Sequence, residues 1–146
     1  MNCDLEKAKR ILDSSAYTCV LIKGNEILTS SKRGVSPLLE WLDSGNSFDG
    51  FSAADKVVGK AAAYLNILLG IKNLYTKVIS NGALEVLSAH TVEVFYGETV
   101  DRIRNRNNTG FCPMELCVDD INTADDALTA IRNKLSEFSL LCIEMD

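Results

Sequence analysis

The sequence predicts a three-layer α/β/α sandwich built on one mixed sheet. Two observations carry this. Near the N-terminus, two β-rich runs are separated by a tight turn, which gives an antiparallel pair. After them, amphipathic and buried helical patterns alternate with single strands, which gives crossover connections and helices on both faces of the sheet. At 146 residues and 16.0 kDa the chain is expected to form a single domain over 1–146, large enough for a core without cross-links.

Each element has its own signal. "NCDLEKAKRILDSS" puts Leu5, Ala8, Ile11 and Leu12 on one face of a surface helix. "YTCVLIKGNEILTS" reads as two strands around Gly24-Asn25, residues suited to the positive φ of a hairpin turn. In "SKRGVSPLLEWLDSG", Ser36 before Pro37 predicts a helix cap and first turn, with Gly45 near the stop. "FSAADKVVGKAAAYLNILLG" reads as one long buried helix that starts with a Ser52/Asp55 capping-box pair and closes at Gly70. "LYTKVIS", "NGALEVLSAH" and "TVEVFYGE" follow as strand, helix and strand. "TVDRIRNRNNTGF" reads either as a short helix or as an edge segment. Pro113 suits only the start of a helix, so "CPMELCVDD" opens with a helical turn. "TADDALTAIRNKLSEF" is an amphipathic helix, and "SLLCIEMD" a tail or final short strand.

Composition narrows the function. A net charge of −5 and a pI near 4.9 repel a phosphate backbone, and "RIRNR" is the only basic cluster, so no nucleic-acid partner is expected. No apolar run approaches the ~20 residues that span a bilayer, and "MNCDLEKAKR" lacks the apolar core of a signal peptide, so no membrane partner and a cytoplasmic location are expected. Five irregularly spaced cysteines fit a reducing compartment better than a disulfide framework.

The element order is that of the cytidine-deaminase-like fold, so zinc hydrolysis is the first chemistry to weigh. It needs a His or Cys with a catalytic Glu at the start of the buried helix and Cys-x-x-Cys opening the next one. Here those positions read "AADKVVGK" and "NGAL", and the only histidine, His90, lies at a helix end. No metal and no other cofactor is expected. Cys112 and Cys117, five positions apart, point to different faces of a helix and suit separate roles.

"TGFCPMELCVDD" holds the most distinctive residues. With Pro113 as the first helical residue, Cys112 takes the N-cap and Glu115 the position whose carboxylate can reach back to the Cys112 N–H. The thiol then faces the positive end of the helix dipole near Arg102, Arg104 and Arg106, with Glu115 opposing. Lys56 and Lys60, one turn apart near a helix start, could offer cations to an anionic ligand, or be solvated. Asp55 reads as a helix-start acid. Arg33 and Gly34 form a weaker candidate anion loop, and a Ser-His-Asp triad has only His90 to draw upon.

From about Leu5 to Phe138 the chain resembles an uncharacterised prokaryotic family, a domain of unknown function with the cytidine-deaminase-like fold but without its zinc ligands. "ADKVVGKAAA", "VISNGALEVL" and above all "NRNNTGFCPMEL" carry the resemblance. It implies Arg106, Cys112, Pro113 and Glu115 as signature residues and implies no established activity. Three readings follow. In the first, Asp55, Lys56, Lys60, Ser80, Asn81 and Arg106 line a cleft that binds a small nucleotide-like or anionic ligand. In the second, Cys112 is a nucleophile or modification site assisted by Glu115. In the third the protein is a scaffold or interaction module that pairs as a homodimer.

Overall fold

The computed structural model describes residues 1–104 and 112–145, with side chains described through residue 137. The first helix, α1 (Cys3–Ser14), is capped by Asn2, whose side chain accepts the Leu5 N–H at 2.8 Å. The hairpin follows as β1 (Cys19–Lys23) and β2 (Glu26–Ser30), paired antiparallel in register Cys19↔Ser30 to Lys23↔Glu26. Gly24 takes the turn's positive φ of 60°. Helix α2 (Ser36–Asp43) contains Ser36, and Val35 is its cap residue, without a side-chain cap bond. The expected Ser36 cap is thus displaced by one position.

The larger correction concerns the expected helix from Ser52. Ser52–Val58 is a strand, β3, and α3 runs only from Lys60 to Leu69. Ser52 and Asp55 therefore form no capping box, and Lys56 and Lys60 do not share a helical face. β3 is an interior strand, hydrogen-bonded to β1 on one side and to β4 (Asn73–Ser80) on the other. A strand covered on both faces needs no alternation of polar and apolar residues, so its sequence gives no period-2 signal. Helix α4 (Asn81–Ala89), strand β5 (Glu93–Val100), the short helix α5 (Pro113–Cys117) and α6 (Ala124–Met145) complete the order. α6 absorbs most of the segment expected as a tail or strand.

The sheet order is β2-β1-β3-β4-β5, antiparallel across β2, β1 and β3 and parallel across β3, β4 and β5. On one face α1 seals a small cluster of Ala8, Leu12, Val20, Ile22 and Ala54. On the other face α2, α3 and α4, with α6 packed on α3, enclose the main core around Leu21, Leu38, Leu65, Leu74, Leu87 and Ile131. The expected three-layer sandwich with a mixed sheet is therefore the fold. No helix among the described residues is long and apolar enough to cross a membrane.

Candidate functional site

The carboxyl ends of the three parallel strands share one end of the sheet. Each hands the chain to a segment that bends over it: β3 to Gly59 and α3, β4 directly to α4, and β5 to Asp101 and Arg102. This is the position at which open α/β sheets form clefts. A cleft of about 170 Å³ opens there, lined by Lys60, Ser80, Gly82, Asp101, Arg102, Glu115 and Asp119. A second depression, along α1, is lined by Met1, Glu6, Lys9, Arg10 and Asp13; its walls come from the terminus and exposed face of one helix.

Glu115 dominates the cleft. Its Oε2 accepts the Lys60 backbone N–H at 2.7 Å, and the Ala61 N–H also bonds the carboxylate. The carboxylate thus caps α3 from α5, a bond between residues 55 apart in sequence. The expected reach back to Cys112 is not made: the Cys112 N–H donates to the Ile103 carbonyl at 2.9 Å. Gly59 makes the docking possible, because a Cβ there would lie 1.6 Å from Glu115 Oε1. Burial raises the Glu115 carboxyl above the usual carboxylate range, outweighing the two amide donors and the Lys60 and Arg102 charges that lower it.

Around this carboxylate the other polar groups are tied to one another. The Lys60 stem passes over Gly82, and its Nζ donates to the Asp119 carbonyl at 3.0 Å. Arg102 pairs with Asp119 at 2.8 Å, which holds the exposed Asp119 carboxyl below its ordinary value. Ser80, almost fully buried, caps α4 by accepting the Ala83 N–H at 3.2 Å. Asn81 donates to Asp101 at 3.0 Å.

The structure therefore brings together Lys60, Ser80 and Glu115, with Asn81 behind Asp101. Asp55 and Lys56 lie within β3 and do not line the cleft. Arg106 lies outside the described residues. Cys112 is the N-cap residue of α5, as expected, but its side chain makes no cap bond; it is half-buried against the main core and does not line the cleft. Cys117 also packs against the core, its thiol donating to the Met114 carbonyl at 3.1 Å. His90 caps the end of α4, with Nδ1 2.8 Å from the Val86 carbonyl. Asp101 and Asp119 are cleft residues that sequence reasoning passed over. Asp101 had a signal, since it directly follows a strand that ends at the ligand-binding end of the sheet.

Among the described residues no group of three His, Cys, Asp or Glu side chains could hold a metal ion. Fold and cleft together define a small α/β/α domain with a polar pocket at the carboxyl ends of its parallel strands. A family model described as a domain of unknown function (DUF1893) matches residues 7–135. The chain belongs to the DUF1893 family. It superimposes on the crystal structure of a DUF1893 family protein from Thermotoga maritima with a TM-score of 0.82 and 25% identity, covering 94% of this chain and 92% of that one. The apo dCMP deaminase of the cyanophage S-TIM5 shows a weaker likeness, with a TM-score of 0.44 and 17% identity over 64% of this chain and 93% of that one. No curated protein matches the chain.

Proposed function

We propose that the cleft is a binding site for a small, polar, nucleotide-like ligand that presents hydrogen-bond donors to Glu115 and Asp101. The observation that carries this reading is the Glu115 carboxylate: fixed by two backbone amides, largely withdrawn from water, and set in the wall of a cleft where segments from three strand ends converge. A carboxylate whose titration is shifted by burial inside a cleft marks a candidate site with a physical rationale. The cleft's charge balance selects among ligands. Glu115, Asp101 and Asp119 face Lys60 and Arg102, and both cations are already engaged at Asp119. The first-turn amides of α3, which suit a bound anion, are filled by the protein's own carboxylate. Purely anionic ligands are therefore disfavoured relative to ligands that bring N–H or O–H donors.

A thermal-shift screen with nucleosides, nucleoside monophosphates and inorganic anions tests the reading. At least one nucleoside-type compound is expected to raise the melting temperature of the wild type, and Glu115→Gln to lose most of that rise. No stabilisation by any compound would remove the reading.

A further inference from the structure

The parallel strands are creased along one line below the cleft. In a regular strand, residues an odd number apart face opposite sides of the sheet. Ala53 and Val58 of β3 are five apart, yet both join the main core, while Ala54 joins the α1 cluster. Leu74 and Ile79 of β4 repeat the pattern, with Tyr75 against the α1 cluster. Both strands slip their alternation over the same interval. The register offset is the same above and below it, Asp55↔Thr76 and Val57↔Val78, so the strands bend together. On β5 the crease passes Gly97, where a Cβ would meet the Lys77 carbonyl oxygen at 2.7 Å.

Side chains hold the crease. The Asp55 carboxylate accepts the Val57 backbone N–H at 3.5 Å, while the intervening Lys56 N–H donates to the Thr18 carbonyl at 3.3 Å. The register partner of Asp55, Thr76, fully buried, donates to the Val78 carbonyl at 3.0 Å. On the other side of β3, Asp55 is the register partner of Cys19, which is 2% exposed and donates its thiol hydrogen to the Asp55 carboxylate. Asp55 is half-buried, on the same side of the sheet as Cys19. The Cys19 thiol is the titratable side chain that bears on it. Three residues beyond Asp55 the strand ends, and Gly59 and Lys60 enter the Glu115 contact.

We propose that the Cys19–Asp55 pair is a protonation-sensitive hinge that sets the crease of β3 and thereby the placement of Gly59 and Lys60 at the cleft. The ionised carboxylate holds the Val57 amide of the bend. The neutral acid gains an O–H donor and is a weaker acceptor for that amide. The Asp55 carboxyl, pushed up to about 7 chiefly by burial, changes state near neutral pH. The Cys19 thiol is raised well above its ordinary value by burial and by the Asp55 charge, so it stays protonated and remains the donor. A regulatory role rests on the proposed function of the cleft; the hinge itself does not.

The test uses no ligand, so its failure is distinct from a failure of that reading. The Asp55 carboxyl carbon and the Lys60 and Ala61 amides are followed by NMR from pH 5.5 to 8.5 in the wild type, Asp55→Asn and Glu115→Gln. The expected result is one shared transition near pH 7 in the wild type, absent in Asp55→Asn and retained in Glu115→Gln, which removes the other titrating carboxyl at these amides. A transition that survives in Asp55→Asn, or vanishes only in Glu115→Gln, would overturn the hinge. Should Asp55→Asn not fold, Cys19→Ala decides. Loss of the thiol donor is expected to raise the Asp55 midpoint and move the Lys60 amide transition with it, and an amide midpoint that stays put counts against the hinge.

Discussion

Burial ranks the thiols one by one. Cys3 is exposed on α1, Cys112 and Cys117 are half-buried, and Cys19 is closed inside the core with its thiol raised in pKa. Thiolate is the reactive form, and access limits its attack. Under native alkylation followed by peptide mapping, Cys3 is expected to label first among the four described thiols, Cys19 last, and Cys112 and Cys117 between them. Labelling of Cys112 ahead of Cys3 would instead mark an activated thiol. Asp55 gives a second expectation. In the unfolded chain it titrates near 4, and in the folded protein near 7. The folded state thus keeps a proton that the unfolded state has lost, and the stability this confers is full below about pH 4 and disappears as pH rises through 7. Urea midpoints of the wild type should fall between pH 5 and 8, with a shallower fall in Asp55→Asn. Glu115, also raised, contributes a slope of the same sign, so the two carboxyls are separated by comparing their single variants.

At the scale of elements, the start of α3 depends on a carboxylate that belongs to α5. Gly59→Ala would place a methyl group where Glu115 sits, expelling the side chain and its charge-assisted bonds to the α3 amides. A loss of about 1–3 kcal/mol is expected by urea denaturation. Once Glu115→Ala has vacated the space, adding Gly59→Ala should cost much less, so the double-mutant cycle should show strong coupling. Ser80→Ala removes the α4 cap and is expected to cost about 1 kcal/mol. The β3–α3 boundary also shows where sequence reading failed. "SAADKVV" contains two alanines and a Ser-x-x-Asp spacing that imitates a helix start, and nothing local marks Gly59 as the break. The deciding facts were tertiary: pairing with β1 and β4, and a cap supplied from far along the chain. The Cys112–Glu115 box failed for the same reason. Its spacing suited a local contact, but the Glu115 carboxylate satisfies two α3 amides instead. Lys60, Ser80 and Glu115 could be chosen because residues at helix starts gather at the carboxyl end of a parallel sheet. Asp119 could not, since only the Arg102 and Lys60 contacts bring it to the cleft.

At the scale of the whole molecule, the hairpin and the alternation of strands and helices were enough to give the sandwich, because turn chemistry and crossover rules leave few arrangements. The division of the helices between the faces was not legible. One helix, α1, covers one side, and its buried cluster is small. Leu12, 1% exposed, is the largest α1 side chain in it. Leu12→Ala is therefore expected to cost about 2–5 kcal/mol. The loss should appear as one cooperative transition in both circular dichroism and tryptophan fluorescence, although Trp41 lies on the opposite side of the sheet in α2.

The long-range cap of α3 also bears on how the protein is made. A chain leaving the ribosome exposes α1, the hairpin and α2 before β3, α3 and β4, so most of the sheet can pair before residue 115 has been translated. Until then the first amides of α3 have only water to bond. The cleft closes late in synthesis, when the segment bearing Glu115 reaches back to a helix completed some 45 residues earlier.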